Sequence, residues 1–439
     1  MRTIAFLLSG QLLRNFASAC SFHGSSQPGE RLVNHRRSVP GTEDYVRTAI
    51  DDIHVFNGKE FTGPKTVCMD GGYIADLGKC DGAIQHISGS GKFLLPGLFD
   101  NHLHLTDVQS LENFTSYGCT TAMNMNCGNF TQCHIMASQK GLSSFFFAGA
   151  PAVGIDGAHA KTQPNRAKNT FIYPDTQVTE YTDWQFGNGS NYHKITAEVQ
   201  GPSVQQQIEM VKTAHQQWQK QTITHAAAIL SYNQSIISRT DGIQHVPDDG
   251  ILTISVIAKI KAQGQFVTPT LNVFEYAYRD PILQQYFGIE PNSNRTIDHA
   301  ETNARLLYEG GVPLIVGTDS VGTMKFKDGV SSIPFGLSVH YELQNFVNVI
   351  GMSPAEAINA GTRDAAKWHR VPDRGSIAVG KRADLLMLNS NPLKNITNTL
   401  DIERVWVLGA NVQHVVKRSK DAKDGAINPA LTPETPVTA

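Results

Sequence analysis

Five side chains in this sequence have the types and the spacing of a metal site: His102 and His104, flanking Leu103, then His225, His245 and Asp319. Imidazole nitrogens and carboxylate oxygens are the donors that zinc and related divalent ions take. Each of the five follows a short apolar run, so each falls where a buried strand would end. Successive side chains of a strand point to opposite faces, which sends His102 and His104 to one side and Leu103 to the other. Two imidazoles then converge on one point, as a metal requires. A His-x-His pair alone is a weak sign. On local sequence a helix cap before Ser320 is the lesser alternative for Asp319. The combination carries the reading, because all five residues can ring one mouth if strands and helices alternate between them.

The sequence between them has that texture. After Pro96, strand-like runs alternate with amphipathic helices, which implies βα units and a parallel sheet. Val204, Ile208, Val211, His215 and Trp218 recur at helical spacing, and Thr222-Ile223-Thr224 then delivers His225. His215, on the apolar face of that helix, is expected to be a packed core residue. Ile254, Ile257 and Ile260 mark a second helix, followed by Phe266-Val267-Thr268; a third unit ends on Val312 to Asp319. Ser353-Pro354-Ala355-Glu356 is a helix start with cap, proline at the first helical position and a capping-box glutamate.

The flanks read differently. From Ala49 to Leu95 short β-type runs alternate with turn signals such as Asn57-Gly58 and Asp70-Gly71-Gly72, and β patterning returns after Asp373. The expected organisation is an α/β chain: a leader or linker over 1–45, a β-sandwich composed of 46–95 and 372–418, a (β/α)8 TIM-type barrel over 96–371 inserted into it, and a loose tail over 419–439. A barrel needs about 250 residues, which the length of 439 accommodates.

Composition sets the outer limits. Hydrophobic content of 40% and charged content of 17% are those of a globular protein. A formal net charge of −2 leaves no electrostatic footprint for nucleic acid or an anionic membrane. No apolar run approaches the roughly 18 residues of a bilayer span. Residues 1–19 have signal-peptide character diluted by Ser9, Gly10, Gln11 and Arg14, and Asn-x-Ser/Thr sequons occur at Asn113, Asn129, Asn188, Asn233, Asn294 and Asn395. A cytoplasmic location is favoured over secretion. The six cysteines are too scattered for a disulfide framework and lack the Cys-x-x-Cys pairs of a structural zinc site, so buried or idle thiols are expected.

Taken together, Leu95-Pro96-Gly97-Leu98-Phe99-Asp100 running into His-x-His, Thr224-His225-Ala226-Ala227, Ile243-Gln244-His245-Val246-Pro247, Gly317-Thr318-Asp319-Ser320, and Gly375-Ser376-Ile377 with Gly380-Lys381-Arg382-Ala383-Asp384-Leu385 resemble the amidohydrolase superfamily, in particular its imidazolonepropionase-like and prolidase-like branch. The resemblance covers roughly residues 50–409. It implies two divalent ions, zinc by donor type, and a lysine carboxylated to N6-carboxylysine that bridges them. Lys194 in Asn191-Tyr192-His193-Lys194-Ile195-Thr196 occupies the matching position, with His193 pointing away to pack. A lysine ammonium is donor-only, whereas its carbamate offers two anionic oxygens. By the same resemblance His102, His104 and Asp319 hold one ion, His225 and His245 the other, and Asp319 is the general base. Asn101 departs from the small residue usual there. His159 and Tyr232 are candidate substrate contacts, with aromatic packing the stronger alternative for Tyr232. His340 has a familiar position and no assigned role.

The implied function is a metal-dependent hydrolase that cleaves an amide or other C–N bond, linear or cyclic, of a small molecule or dipeptide. A metal-assisted decarboxylase or isomerase on the same site is the alternative, and a non-catalytic relative is disfavoured because all six ligands are present. The expected partner is a small-molecule substrate, not nucleic acid or membrane, and a homo-oligomer is compatible with the sequence.

Overall fold

The computed structural model of the protein describes residues 46–163 and 165–412. The expected leader, its signal-like segment and the loose tail lie outside the described residues, as does the stretch of the second β segment beyond 412. The described residues form two compact units: one of 100–112 and 121–335, the other of 46–99, 113–120 and 336–412. Both strands and helices build the protein, an α/β fold. Among the described residues no helix is long and apolar enough to cross a membrane.

The second unit contains an eight-stranded sheet that joins residues far apart in sequence. Its order runs Ala410–Asn411, Ile402–Val407, Leu385–Leu388, Phe93–Pro96, Thr48–Phe56, Phe61–Asp70 and Tyr73–Leu77, with Gln85–Ser88 also paired to Thr48–Phe56. Phe93–Pro96 lies antiparallel to Leu385–Leu388, with Leu388 opposite Phe93 and Leu385 opposite Pro96. Ile50, Ile53, Val67, Ile74, Leu94, Leu385, Met387 and Trp406 form one buried cluster. Alternation along these short strands sends their branched and aromatic side chains to that cluster. The same unit holds the helix Pro354–Ala360, whose Ser353 and Glu356 form the expected capping box. His340 is buried there, Nδ1 at 2.9 Å from Thr399 Oγ1 and Nε2 at 2.9 Å from the Tyr117 carbonyl. It is a hydrogen-bonded core residue.

The first unit carries a parallel four-stranded sheet in the order Phe266–Thr268, Gly242–Gln244, Thr222–His225, His193–Thr196. A three-stranded sheet has the order Leu98–Leu103, Cys119–Asn124, Ser144–Phe147. Parallel bridges pair Ala148 with Tyr192, Val267 with Leu314 and Leu103 with Ser320. Val312 to Asp319 is therefore an extended segment touching neighbours at single points, not a continuous strand. A hairpin of Gly322–Phe326 and Gly329–Ile333 follows it, and sequence reasoning missed this element.

The helix expected after Ser203 spans Val204–Gln216 and starts with a capping box of Ser203 and Gln206. Its buried face is Gln207, Met210, Val211, Thr213 and Ala214. His215 corrects the expectation of a core residue: it is half-buried and its Nε2 lies 2.7 Å from Asp241 Oδ2. The cysteine expectation is also corrected. Cys68 is bonded to Cys80 and Cys127 to Cys133, while Cys119 is buried and in neither bond. Strand pairing of Phe61–Asp70 with Tyr73–Leu77 brings the first pair together, and the turn into helix Phe130–Ala137 the second. Neither closure has a recognisable spacing in sequence.

Candidate metal centre

His102 ends a strand buried along its whole length, and the segment 316–320 runs beside it. Asn101 N donates to Val316 O at 3.0 Å, Asp319 N to His102 O at 2.6 Å and His104 N to Ser320 O at 2.9 Å. Asp100 ties the two segments: one carboxylate oxygen accepts the His102 and Thr318 amides, at 3.1 and 3.0 Å, and the other accepts the Thr318 hydroxyl at 2.6 Å. Burial drives the Asp100 pKa up to about 7 against these hydrogen bonds. Parallel register sets the remaining positions. Thr196 lies beside His225 and Ile223 beside Lys194, so the lysine sits two residues back on the same strand face as Thr196.

These elements bring the six expected ligands into one group. Asp319 Oδ1 is 2.9 Å from His104 Nε2 and 3.3 Å from His102 Nε2. The ligand atoms of His102, His104 and Asp319 lie within 4.8 Å of one another. Lys194 Nζ is 3.5 Å from His102 Nε2. Ring centroids are 4.7 Å apart for His102 and His245, and 4.5 Å for His225 and His245.

Three residues of this region have left-handed backbone: His245 (φ 72°), Thr270 (φ 54°) and Asp319 (φ 54°). Such a conformation costs on the order of 1 kcal/mol or more outside glycine and accumulates at functional sites. At His245 it breaks strand alternation. Gln244 and His245, neighbours in sequence, then both reach site histidines: Gln244 Oε1 accepts from His102 Nδ1 at 2.9 Å while its Nε2 donates to Thr268 Oγ1 at 3.2 Å, and His245 Nδ1 is 2.7 Å from Thr270 Oγ1. A ring whose Nδ1 donates to its partner keeps Nε2 and its lone pair free for a cation.

The electrostatics suit a cation. Burial, aided by the neighbouring Lys194 and histidines, holds His102 well below the usual imidazole range, and burial does the same to His225. Burial lowers His245 to about 3 despite the Asp319 charge. All three rings are neutral at pH 7. Lys194 falls to about 7, again through burial. Burial pushes Asp319 upward, but its hydrogen bond with His104 and its interactions with His245, His104 and Lys194 outweigh this and hold it below the ordinary carboxylate value. Four imidazole rings, an ionised carboxylate and a buried amine thus share one pocket, and the donor set fits divalent metal.

The two candidate substrate contacts have different surroundings. His159, in the short helix Ala158–Lys161, packs edge-on against His225 with centroids 4.2 Å apart. Tyr232 is completely buried and donates its hydroxyl to the His245 carbonyl at 2.7 Å, so it braces the backbone of a site residue and does not offer that hydroxyl to a substrate. Sequence reasoning missed Asp100, Gln244, Thr268, Thr270 and Glu198 as supports. The signal for Glu198 is its place just beyond the Lys194 strand; for the others only the folded contacts supply one.

The sequence and the fold were compared with known proteins. A 111-residue stretch, 25% of this chain, is 33% identical to imidazolonepropionase of Deinococcus deserti, of which it spans 26%. The solved structure of a putative prolidase from Bifidobacterium longum superposes with a TM-score of 0.72 at 24% identity, over 86% of this chain and 97% of that one. A Xaa-Pro dipeptidase with methionine bound in its active site gives a TM-score of 0.70 at 19% identity, over 83% and 99%. At these identities the two structures show a shared fold. The model of the amidohydrolase family matches residues 93–437, which include every residue of the histidine, lysine and aspartate cluster, and with most of the chain matched the protein belongs to the amidohydrolase family.

Proposed function

We propose that the protein hydrolyses a C–N bond, in a linear or cyclic amide or a related group, of a small molecule or dipeptide. The observation that carries this reading is the convergence of His102, His104, Lys194, His225, His245 and Asp319 on one pocket, with His102 Nε2 within 3.5 Å of both Lys194 Nζ and Asp319 Oδ1. His102, His104 and Asp319 would hold one divalent ion and His225 and His245 another, with Lys194 as N6-carboxylysine between them. Bound there, zinc or a related cation would supply a water acidified to near neutral pH and polarise the substrate's carbonyl.

The protein's own residues do the rest. Asp319, ionised at neutral pH, takes the proton of the attacking water and returns it to the leaving nitrogen, so that the amine departs neutral. Gln244 and Thr270 hold the rings of His102 and His245 in one tautomer. His159 lies at the rim of the His225 side, where it can meet the substrate. Lys194 has the property that carboxylation needs, because only the unprotonated amine attacks carbon dioxide and burial lowers its pKa to about 7.

The reading includes a (β/α)8 barrel over 96–371 inserted into a β-sandwich of 46–95 and 372–418. The bridges Ala148–Tyr192, Val267–Leu314 and Leu103–Ser320 support the closed barrel, since they extend the sheet order from Leu98–Leu103 round to the same strand. The deciding experiment is metal analysis of the purified protein with a hydrolysis screen of N-acyl amino acids, Xaa-Pro dipeptides, lactams and lactones. About two divalent ions per chain and turnover lost on chelation are expected. A metal-free preparation that stays folded and active would refute the reading.

A further inference from the structure

Glu198 is a carboxylate beside the pocket to which the mechanism above gives no task. It follows the strand that carries Lys194, and its side chain is 10% exposed. Its Oε2 lies 2.7 Å from His159 Nδ1, and both carboxylate oxygens are 3.3 Å from the His159 amide. The side chain occupies a slot lined by two glycines: a Cβ on Gly157 would collide with Glu198 Oε1, and one on Gly201 would come within 3.0 Å of Glu198 Cγ. Both oxygens are thus spent on one residue, 39 positions earlier in the chain.

We infer that Glu198 is a positioning residue: it pins Nδ1–H of His159, fixes that ring edge-on to His225, and so presents His159 Nε2 to the substrate. The inference rests on the proposed function for its kinetic consequence, but the pinning stands on geometry alone. A carboxylate bound to one imidazole nitrogen selects the tautomer and the ring orientation at the other. The amide contact acts on the same residue's backbone and so fixes where the ring starts from. A ring held in this way loses less conformational freedom when substrate arrives, and an error of about 1 Å at such a group can cost about 100-fold in rate.

The test uses the full-length protein and two kinds of readout. In the metal-free protein, the His159 Nδ1–H proton should give a downfield resonance that disappears in His159→Gln, which identifies it. Glu198→Ala should abolish this resonance, leave the metal content of the loaded enzyme unchanged, and lower kcat/KM about 10-fold to 100-fold. Glu198→Gln, whose carbonyl can still accept the proton, should keep the resonance and recover most of the activity. Gly157→Ala, which displaces the carboxylate while leaving it in the chain, should reproduce Glu198→Ala. A resonance that persists unchanged in a folded Glu198→Ala variant overturns the inference, as do parental kinetics in that variant with every substrate found. Were no hydrolysis detected at all, the resonance would still decide the pinning, and the proposed function would fail separately.

Discussion

A carboxylate that is to accept a proton must be ionised beforehand and must be held where the proton is released. Asp319 meets both conditions, with its charge favoured by the hydrogen bond from His104 and by Lys194 nearby, and its backbone fixed by a hydrogen bond from its amide to the His102 carbonyl. Asp319→Asn keeps an oxygen donor and tolerates the left-handed backbone at φ 54°, yet cannot take the proton. Turnover should fall by about 10² to 10⁴ with much of the metal retained, as read by single-turnover kinetics and metal analysis. Lys194 leads to a different expectation. Its amine is protonated below about pH 7 and free above it, so the proposed carboxylation would be favoured as pH rises through that value. At fixed dissolved carbon dioxide, metal uptake by stripped protein should therefore increase from pH 6 to pH 8. Lys194→Ala should lose metal and activity together, and acetate, formate or propionate should partly restore both; a variant that binds two ions without added acid would show the lysine is not a bridge. That these residues would converge was legible because each histidine and Asp319 follows an apolar run. Gln244 was not legible, and Glu198 only through its place just beyond the Lys194 strand. Gln244 meets a histidine 142 residues away, and the alternation rule assigns it the opposite face from His245.

Strand ends position these side chains, and their packing sets how much they can shift. Gly317 shows the constraint: its Cα lies so near the neighbouring segment that an added Cβ would press on the Thr268 methyl and reach 2.8 Å from the His102 amide. Gly317→Ala should push apart the three segments that carry His102, Asp319 and the Gln244 support. Overpacking of this kind costs about 1–3 kcal/mol, so a lower midpoint of thermal unfolding together with weaker metal retention is expected. An unchanged midpoint would mean that the site yields more easily than its contacts suggest. Helices were the most legible elements. The start at Ser203 and the capping box at Ser353 follow from local hydrogen bonding that the residues themselves specify. Which face of Val204–Gln216 is buried was less so, because Gln207, Thr213 and Met210 share the interior with Val211 and polar identity misdirects a hydrophobic count. The hairpin of Gly322–Phe326 and Gly329–Ile333 was legible but overlooked: Met324 and Phe326 alternate with Thr323 and Lys325, and Asp328-Gly329 is a turn dipeptide.

At the scale of the molecule, the return of β patterning after Asp373 suggested that distant segments share one β unit, but the register of Leu388 against Phe93 had no local signal. Pairing at such separation is decided by the fit of whole surfaces, which a single sequence does not display. The disulfides were hidden for a related reason: each closes only after a turn or a strand pair has formed. The joined sheet also has a meaning for how the protein is made. A ribosome releases Phe93–Pro96 about 290 residues ahead of its antiparallel neighbour Leu385–Leu388. At roughly 5–20 residues per second, that strand waits on the order of 15–60 s with one edge of its backbone unpaired. For this interval the nascent chain carries an apolar edge, Phe93-Leu94-Leu95, open to any other strand that can pair with it. The cover for this strand is thus translated only after the whole intervening segment, and until it emerges the nascent chain is open to mispairing along that edge.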